Sequence, residues 1–277
     1  MSGFLDEMGR ASRARTDAAR ARESIAALER RAAATPAAPP LALAPEGFDV
    51  IAEIKRRSPA AGALATAGDD WLERAREYAR AGAAAVSVLT EPTRFDGALT
   101  HLEAAAAALR PLGVPAMRKD FLVDPYQVLE ARAAGAGGVL LILRMLSAAQ
   151  CAELLDAAAR CGLFVLLEAF DADELARAGE LARGRAGRDP LLVGLNCRDL
   201  QTLRVVPARF ATLASSLPEA APAVAESGVE TAQDARRLRR LGYRLALVGS
   251  TLMSHPDPAQ WIRSALRAAR TDAAQTG

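Results

Sequence analysis

Residues 138–168, GVLLILRMLSAAQCAELLDAAARCGLFVLLE, carry the pattern that decides the fold. GVLLIL (138–143) and LFVLLE (163–168) are short apolar runs without polar alternation, as expected of parallel strands covered on both faces. The stretch between them has the Ala/Leu/Arg/Glu texture of a helix over 147–160. Ser147 starts it as a cap, and Gly162, after Cys161, stands where it stops. The segment therefore reads as strand, returning helix, strand.

The same unit recurs from residue 48 onward. Six further runs read as strands: FDVIAEIK (48–55), AVSVLT (85–90), VPAMR (114–118), LLVGLN (191–196), PAVAE (222–226) and LALVG (245–249). Helical stretches fall near 70–81, 98–110, 124–134, 171–182, 205–216, 230–241 and 257–270. Asp124 before Pro125 marks another start, and Gly82, Gly135 and Gly242 mark further stops. Eight such units in 277 residues predict a (β/α)8 TIM barrel. A doubly wound sheet is the rival, but IAEIKRRSPAAG (51–62) lacks the GxGxxG loop that would follow its first strand.

Ahead of the barrel, residues 1–33 read as one helix with a thin apolar stripe of Phe4, Leu5, Met8, Ile25 and Leu28. TPAAPPLALAPEG (35–47) breaks it as a proline-rich linker. The expected organisation is a helix and linker, 1–47, packed on a barrel, 48–277, as one domain. Thirty-five basic and 33 acidic residues leave a formal charge of +2, unlike a dedicated nucleic-acid binder. Up to residue 40 seven arginines are diluted by five acids, the mark of a solvated helix face. Three cysteines without CxxC spacing argue against a disulfide scaffold, and two histidines leave little for zinc. There is no signal-type start and no long apolar run, so the expectation is a cytoplasmic protein without a membrane partner.

A barrel builds its site at the carboxyl ends of its strands. Those ends carry Glu53 and Lys55, two apart and so on one face; Arg118, Lys119 and Asp120; Glu168; Asn196 with Arg198 just beyond; Glu226 and Ser227; and Gly249 and Ser250. Several inward charges are costly unless they meet one another or a charged ligand. AESG (225–228) and VGST (248–251) place small residues and backbone N–H groups after strands seven and eight, where barrels often hold a phosphate beside a short extra helix, here 250–253. Phe95, Phe121, Leu140, Leu200 and Leu203 supply bulk nearby. The two phenylalanines sit in loops, and an aromatic ligand would account for such exposed rings.

Taken together, IAEIKRRSP (51–59), SVLTEPTRFDG (87–97), RKDFLVDPYQV (118–128), GVLLI (138–142), LLEAF (166–170), GLNCRDL (194–200), AESGV (225–229) and LVGSTLM (247–253) resemble the indole-3-glycerol-phosphate synthase family, barrel enzymes of tryptophan biosynthesis. The resemblance implies conversion of 1-(2-carboxyphenylamino)-1-deoxyribulose 5-phosphate to indole-3-glycerol phosphate with loss of CO2 and water, without cofactor or metal. It implies that Lys119 is the general acid, that Glu168 is an acid–base group, and that Glu53 and Lys55 complete the charged cluster. It further implies that Asn196 orients the developing hydroxyl and Arg198 lies near the substrate carboxylate. Ser58 and Ser227 would border the ligand, and Gly228, Gly249 and Ser250, with Lys55, would hold the phosphate. Phe95, Phe121, Leu140, Leu200 and Leu203 would wall the anthranilate ring. A monomer is expected, with a weak dimer as the alternative.

For Lys119, burial and Lys55 push the pKa down while Glu53 and Glu168 push it up, and the sequence leaves the net direction open. The chain departs from the family pattern at Ala60 and Ala61, where a small and a basic residue are usual, and at Phe170, where histidine is common. Those departures admit a paralogue acting on a substituted anthranilate. A related phosphate-binding isomerase would not require the four-residue charged set. A non-catalytic phosphosugar-binding barrel would tend to lose part of it.

Overall fold

The computed structural model describes residues 3–45, 47–58, 62–63, 70–199, 202 and 204–271, apart from the side chains of Ser58 and Ala63. Eight parallel strands close a barrel: β1 (Asp49–Ile54), β2 (Ala85–Leu89), β3 (Ala116–Lys119), β4 (Gly138–Ile142), β5 (Phe164–Ala169), β6 (Leu191–Asn196), β7 (Ala223–Glu226) and β8 (Leu245–Val248). Each pairs with its neighbours in sequence, and β1 closes on β8 through Asp49↔Leu245 to Ala52↔Val248. The expected (β/α)8 fold is the observed one.

Alternation along the strands sorts their side chains into two cores. Val50, Ala52, Val86, Val139, Leu141, Val165, Leu167 and Val193 point outward and pack under the helices. Ile51, Ala85, Met117, Leu140, Phe164, Leu166, Leu192, Val224, Leu245 and Leu247 point inward and fill the barrel. Each of these side chains larger than alanine contributes roughly 1.5–3 kcal/mol on burial. The strands therefore need no polar face, which is why they read as continuous apolar runs.

The outer helices are α3 (Trp71–Arg80), α4 (Leu99–Leu109), α5 (Pro125–Ala133), α6 (Ala148–Arg160), α7 (Ala172–Gly184), α8 (Ala208–Thr212), α9 (Ala232–Arg240) and α10 (Pro258–Arg270), preceded by α1 (Phe4–Arg22) and α2 (Ile25–Ala34). Asp124 and Ser147 form reciprocal capping boxes with Gln127 and Gln150, and Gly82, Gly135, Gly162 and Gly242 all hold positive φ at helix ends.

Two helical expectations are corrected. The first helix is two, broken at Glu23, with Ser24 capping the second through Ala27 N–H. The Tyr126 hydroxyl holds the break by donating to the carbonyls of Ala19 and Glu23 (3.3 and 2.9 Å). The helix expected over 205–216 begins only at Ala208. Its first residues are drawn into pairing with the end of β6: Val205 bridges Arg198, and Val206 N–H donates to Cys197 O. Two short helices, Pro92–Phe95 and Ser250–Ser254, follow β2 and β8.

The N-terminal segment spans the barrel from end to end. Phe4, Leu5 and Met8 pack with Phe121 at the carboxyl end, whereas Leu41 and Leu43 pack against the interior cluster. The linker is tied down at the amino end. Ala44 N–H donates to Asp49 Oδ2 (2.9 Å), and Arg270 holds the other oxygen of that carboxylate (2.9 Å).

Candidate active site

Period-two alternation aims Glu53, Lys119, Glu168, Asn196 and Glu226 into the carboxyl-end mouth of the barrel. They line a cleft of about 210 Å3 with Lys55, Arg198 and an apolar wall that includes Phe4, Leu5, Phe95, Phe121, Leu140, Ile142 and Phe170.

Lys119 lies at the centre. Its ammonium is 3.3 Å from Glu168 Oε2 and 3.6 Å from Glu226 Oε2, the second an ion contact longer than a hydrogen bond. Glu168 Oε1 accepts from Asn196 Nδ2 (2.7 Å), and Asn196 Oδ1 in turn accepts the backbone N–H of Arg198 (2.9 Å). That chain fixes the Asn196 amide and the loop carrying Arg198. Beside it, Lys55 Nζ pairs with Glu53 Oε1 at 2.8 Å. Glu53 Oε2 and both oxygens of Glu226 are buried without a hydrogen-bond partner among the described residues.

Electrostatics follow from this crowding. Burial alone lowers the pKa of Lys119, but Glu168, Glu226 and Glu53 outweigh it and hold the lysine well above its ordinary value. The direction left open by the sequence is therefore upward. Burial raises the carboxyl of Glu53, yet Lys55 and Lys119 overcome that and bring it below its usual range. Glu226 goes the other way, pushed up to about 8 by burial and by the neighbouring Glu168 and Glu53 charges, against Lys119. Glu226 therefore holds its proton to a higher pH than Glu53 does.

Two glycines make room for these groups. A Cβ on Gly194 of β6 would run into the Glu226 carboxylate, and one on Gly249 would meet Glu53 and stand 3.1 Å from Lys55 Nζ. After β7, Ser227 and Gly228 are consecutive left-handed residues (φ 68° and 67°). The non-glycine residue there holds a conformation costing about 1 kcal/mol or more. Thr251 Oγ1 donates to Val229 O (2.8 Å), joining the loops after β7 and β8 around Ser227, Gly228, Gly249 and Ser250, all of which line the cleft.

Other expectations need amendment. Phe95 and Phe121 are not exposed loop rings: Phe95 ends the Pro92–Phe95 helix and is half-buried, and Phe121 is buried. Their centroids are 6.2 Å apart, and Phe4 meets Phe121 edge-on at 5.8 Å. Arg118 and Asp120 flank Lys119 in sequence, but their side chains pair with each other behind the barrel wall, where Asp120 also borders the cleft. Arg118 is buried behind the barrel wall, bonded to Thr90 Oγ1, Gln127 O and Glu130. Leu200 and Leu203, like Ala60 and Ala61 and the side chain of Ser58, lie outside the described residues. In the sequence Glu226 is a strand-end carboxylate to which neither spacing nor resemblance assigns a role. Its inward parity with Val224 is the signal that places it. Among the described residues no group of three or more His, Cys, Asp or Glu side chains is disposed to hold a metal.

Residues 5–265 match the family model for indole-3-glycerol phosphate synthase. The chain is similar to the indole-3-glycerol phosphate synthase of Koribacter versatilis, 42% identical over 267 residues that cover 95% of this chain and 97% of the relative. It is 46% identical to that of a Nocardioides species over 217 residues, 78% and 79% of the two chains. A solved structure of 3-hexulose-6-phosphate synthase from Salmonella typhimurium superposes with a TM-score of 0.59 at 15% identity, covering 80% of this chain and 99% of that one, which speaks to the barrel fold alone. Matched across its barrel and most of its N-terminal segment, the chain belongs to the indole-3-glycerol phosphate synthase family.

Proposed function

We propose that this cleft closes the indole ring of 1-(2-carboxyphenylamino)-1-deoxyribulose 5-phosphate and releases indole-3-glycerol phosphate, CO2 and water. Membership in the family makes the chain a carboxy-lyase of tryptophan biosynthesis. The observation that carries the reading is Lys119, held protonated between Glu168 and Glu226 at the floor of an aromatic-walled cleft.

The carboxylate-bearing aryl carbon attacks the sugar ketone. As negative charge builds on the carbonyl oxygen, Lys119 gives it a proton, leaving a hydroxyl. The raised pKa keeps the lysine charged before the reaction, and transfer follows because an incipient alkoxide is far more basic than an amine. Loss of CO2 returns its bonding electrons to the ring. The hydroxyl then takes a second proton from an acid of the charged set and departs as water, while a carboxylate removes the carbon-bound proton whose loss completes the indole. Glu168 handles a proton in closure or dehydration, Glu53 and Lys55 complete the charged set, and Asn196 orients the hydroxyl.

Arg198 faces the substrate carboxylate. Lys55, Gly228, Gly249 and Ser250 hold the phosphate, with Ser227 and Ser58 bordering the ligand. Phe95, Phe121 and Leu140 wall the ring, joined by Leu200 and Leu203. Ser227 and Gly249 support the phosphate assignment because both stand at cleft-lining turns tied together by Thr251.

We read residues 1–47 and the barrel as one domain, working as a cytoplasmic monomer on a small phosphorylated substrate, without a nucleic-acid or membrane partner. No described helix is long and apolar enough to cross a membrane. Large exposed apolar side chains among the described residues are Ile25 on α2, Leu112 in the turn after α4 and Val206 in the loop before α8.

The test is turnover of that substrate, followed by indole fluorescence, for the parent and Lys119→Ala. The variant is expected to lose about 10²–10⁴ in kcat while still binding phosphate. A parent that binds the compound without turnover would contradict the assignment and direct attention to substituted anthranilates.

A further inference from the structure

Helix α1 makes a buried contact that none of the roles above uses. Met8, Ser12 and Thr16 mark its barrel-facing side, and Arg15, three residues after Ser12, reaches over the edge of that face. The Arg15 guanidinium meets Asp120 Oδ1 at 2.6 Å and Glu91 Oε1 at 3.3 Å, and those two carboxylates are 1% and 0% exposed.

The carboxylates belong to different loops. Glu91 caps the Pro92–Phe95 helix by accepting the N–H groups of Thr93 and Arg94 (2.9 and 2.7 Å), and that helix ends in Phe95. Asp120 follows Lys119 and accepts the N–H of Phe121 (2.8 Å) and the Thr90 hydroxyl (2.8 Å). One cation on α1 thus joins the loops after β2 and β3, and each loop delivers one of two rings that face each other at 6.2 Å across the cleft wall. Two buried carboxylates this close to one guanidinium would repel without it.

Without Arg15 most of the surrounding contacts remain. Asp120 keeps Arg118 (3.3 Å) and Thr90, so the loop stays folded. Lys119 remains held from inside by Glu168 and Glu226. What loosens is the relative placement of Phe95 and Phe121.

We propose that Arg15 is a positioning residue for substrate binding: by bridging Glu91 and Asp120 it sets the spacing of the Phe95 and Phe121 rings, and so the slot that receives the substrate's aromatic ring. The identity of that ring rests on the ring-closing function proposed above.

The test compares the parent with Arg15→Met and Arg15→Lys. Glu7→Gln serves as a control, because Glu7 pairs with Arg94 on the same short helix at 2.6 Å through half-exposed side chains. KM and kcat are measured with substrate, the dissociation constant with the reduced, unreactive form of the substrate, and phosphate-site occupancy by inhibition with inorganic phosphate. In Arg15→Met both KM and that dissociation constant should rise about tenfold, with kcat within about threefold. Phosphate inhibition should hold, Arg15→Lys should recover part of the loss, and Glu7→Gln should match the parent.

Unchanged analogue binding in folded Arg15→Met, or an equal loss of phosphate affinity, overturns the proposal and leaves Arg15 a structural pair. If that variant does not fold, Arg15→Lys decides, and parent-like binding there overturns it equally. A parent that binds the analogue without turnover refutes the ring-closing function alone, since the binding comparison still judges Arg15. A parent that does not bind it refutes both.

Discussion

Two charged clusters meet at the carboxyl end of β3 and lie on opposite faces of it. Inside the mouth are Glu53, Lys55, Lys119, Glu168 and Glu226; behind the wall are Thr90, Glu91, Arg118, Asp120 and Glu130, with Arg15 arriving from α1. The outer set is matched: Arg118 alone serves Thr90, Gln127 O, Asp120 and Glu130. The inner set leaves three carboxylate oxygens without hydrogen bonds among the described residues. Burial of charge is costly in both places, but only the outer face meets that cost within the protein. Underpairing on the inner face is what a site looks like when the ligand is to supply the missing donors and charges.

The sharpest way to break this contrast is to remove adjacent cations from β3. Arg118→Met leaves Glu130 without its cation behind the wall and Asp120 with Arg15 alone, and should cost about 3–5 kcal/mol of stability in denaturant unfolding, with Tm falling accordingly. Lys119→Met, one residue on, should cost less, because the raised pKa of Glu226 lets that carboxyl take up a proton in place of the lost cation. Turnover should nevertheless collapse in the second variant. If both variants lose the same stability, the two faces are not built differently.

The next effect is read in pH. The carboxyl of Glu226 titrates near 4.5 in the unfolded chain and near 8 in the fold. Between those values the native state binds the extra proton, so stability falls as pH rises, by up to about 1.4 kcal/mol per pH unit from this group. Glu226→Gln removes the component and should leave the protein about 1–3 kcal/mol more stable than the parent at pH 8. Glu53 has the opposite sign. Its depressed pKa gives stability present above 4.5 and lost as pH falls through the folded value, so Glu53→Gln should flatten the acid side instead. Urea midpoints across pH 4–9 separate the two. A Glu226→Gln curve parallel to the parent's would remove the inner imbalance from the account.

How much of this was legible in the sequence depends on which interactions are local. The eight strands stand out because both faces are apolar, so each is a short continuous run whatever it packs against. Parity along one strand also sufficed to put Glu53 with Lys55. It did not separate Lys119 from Arg118 and Asp120, since the end of β3 and the direction in which it starts depend on pairing with β2 and β4. The Pro92–Phe95 helix has a local signal, Glu91 followed by proline, but is too short to show a hydrophobic period. The presence of Phe4 and Leu5 in the cleft, some hundred residues from Phe121, follows only from where α1 docks.

A third set of charges, at the solvent edge, gives the smallest effect and sharpens the contrast by exposure. Arg144 pairs with Asp171 (2.8 Å) and Glu174 (2.6 Å), and its guanidinium lies 4.5 Å over the Phe170 ring, which lines the cleft. Glu174 also accepts the Phe170 N–H (2.7 Å), so the ring keeps an anchor without Arg144. The Asp171 side chain is half exposed, and water and salt weaken such a pair. Arg144→Ala should therefore cost only about 0.5–1 kcal/mol, shared between stacking and charge. In 1 M salt the charge part should vanish and the difference from the parent shrink. The Arg118→Met loss should persist in the same buffer, because ions do not reach a pair buried behind the wall. Equal salt sensitivity of the two would mean that solvent, rather than the face of the strand, governs how these charges are paired.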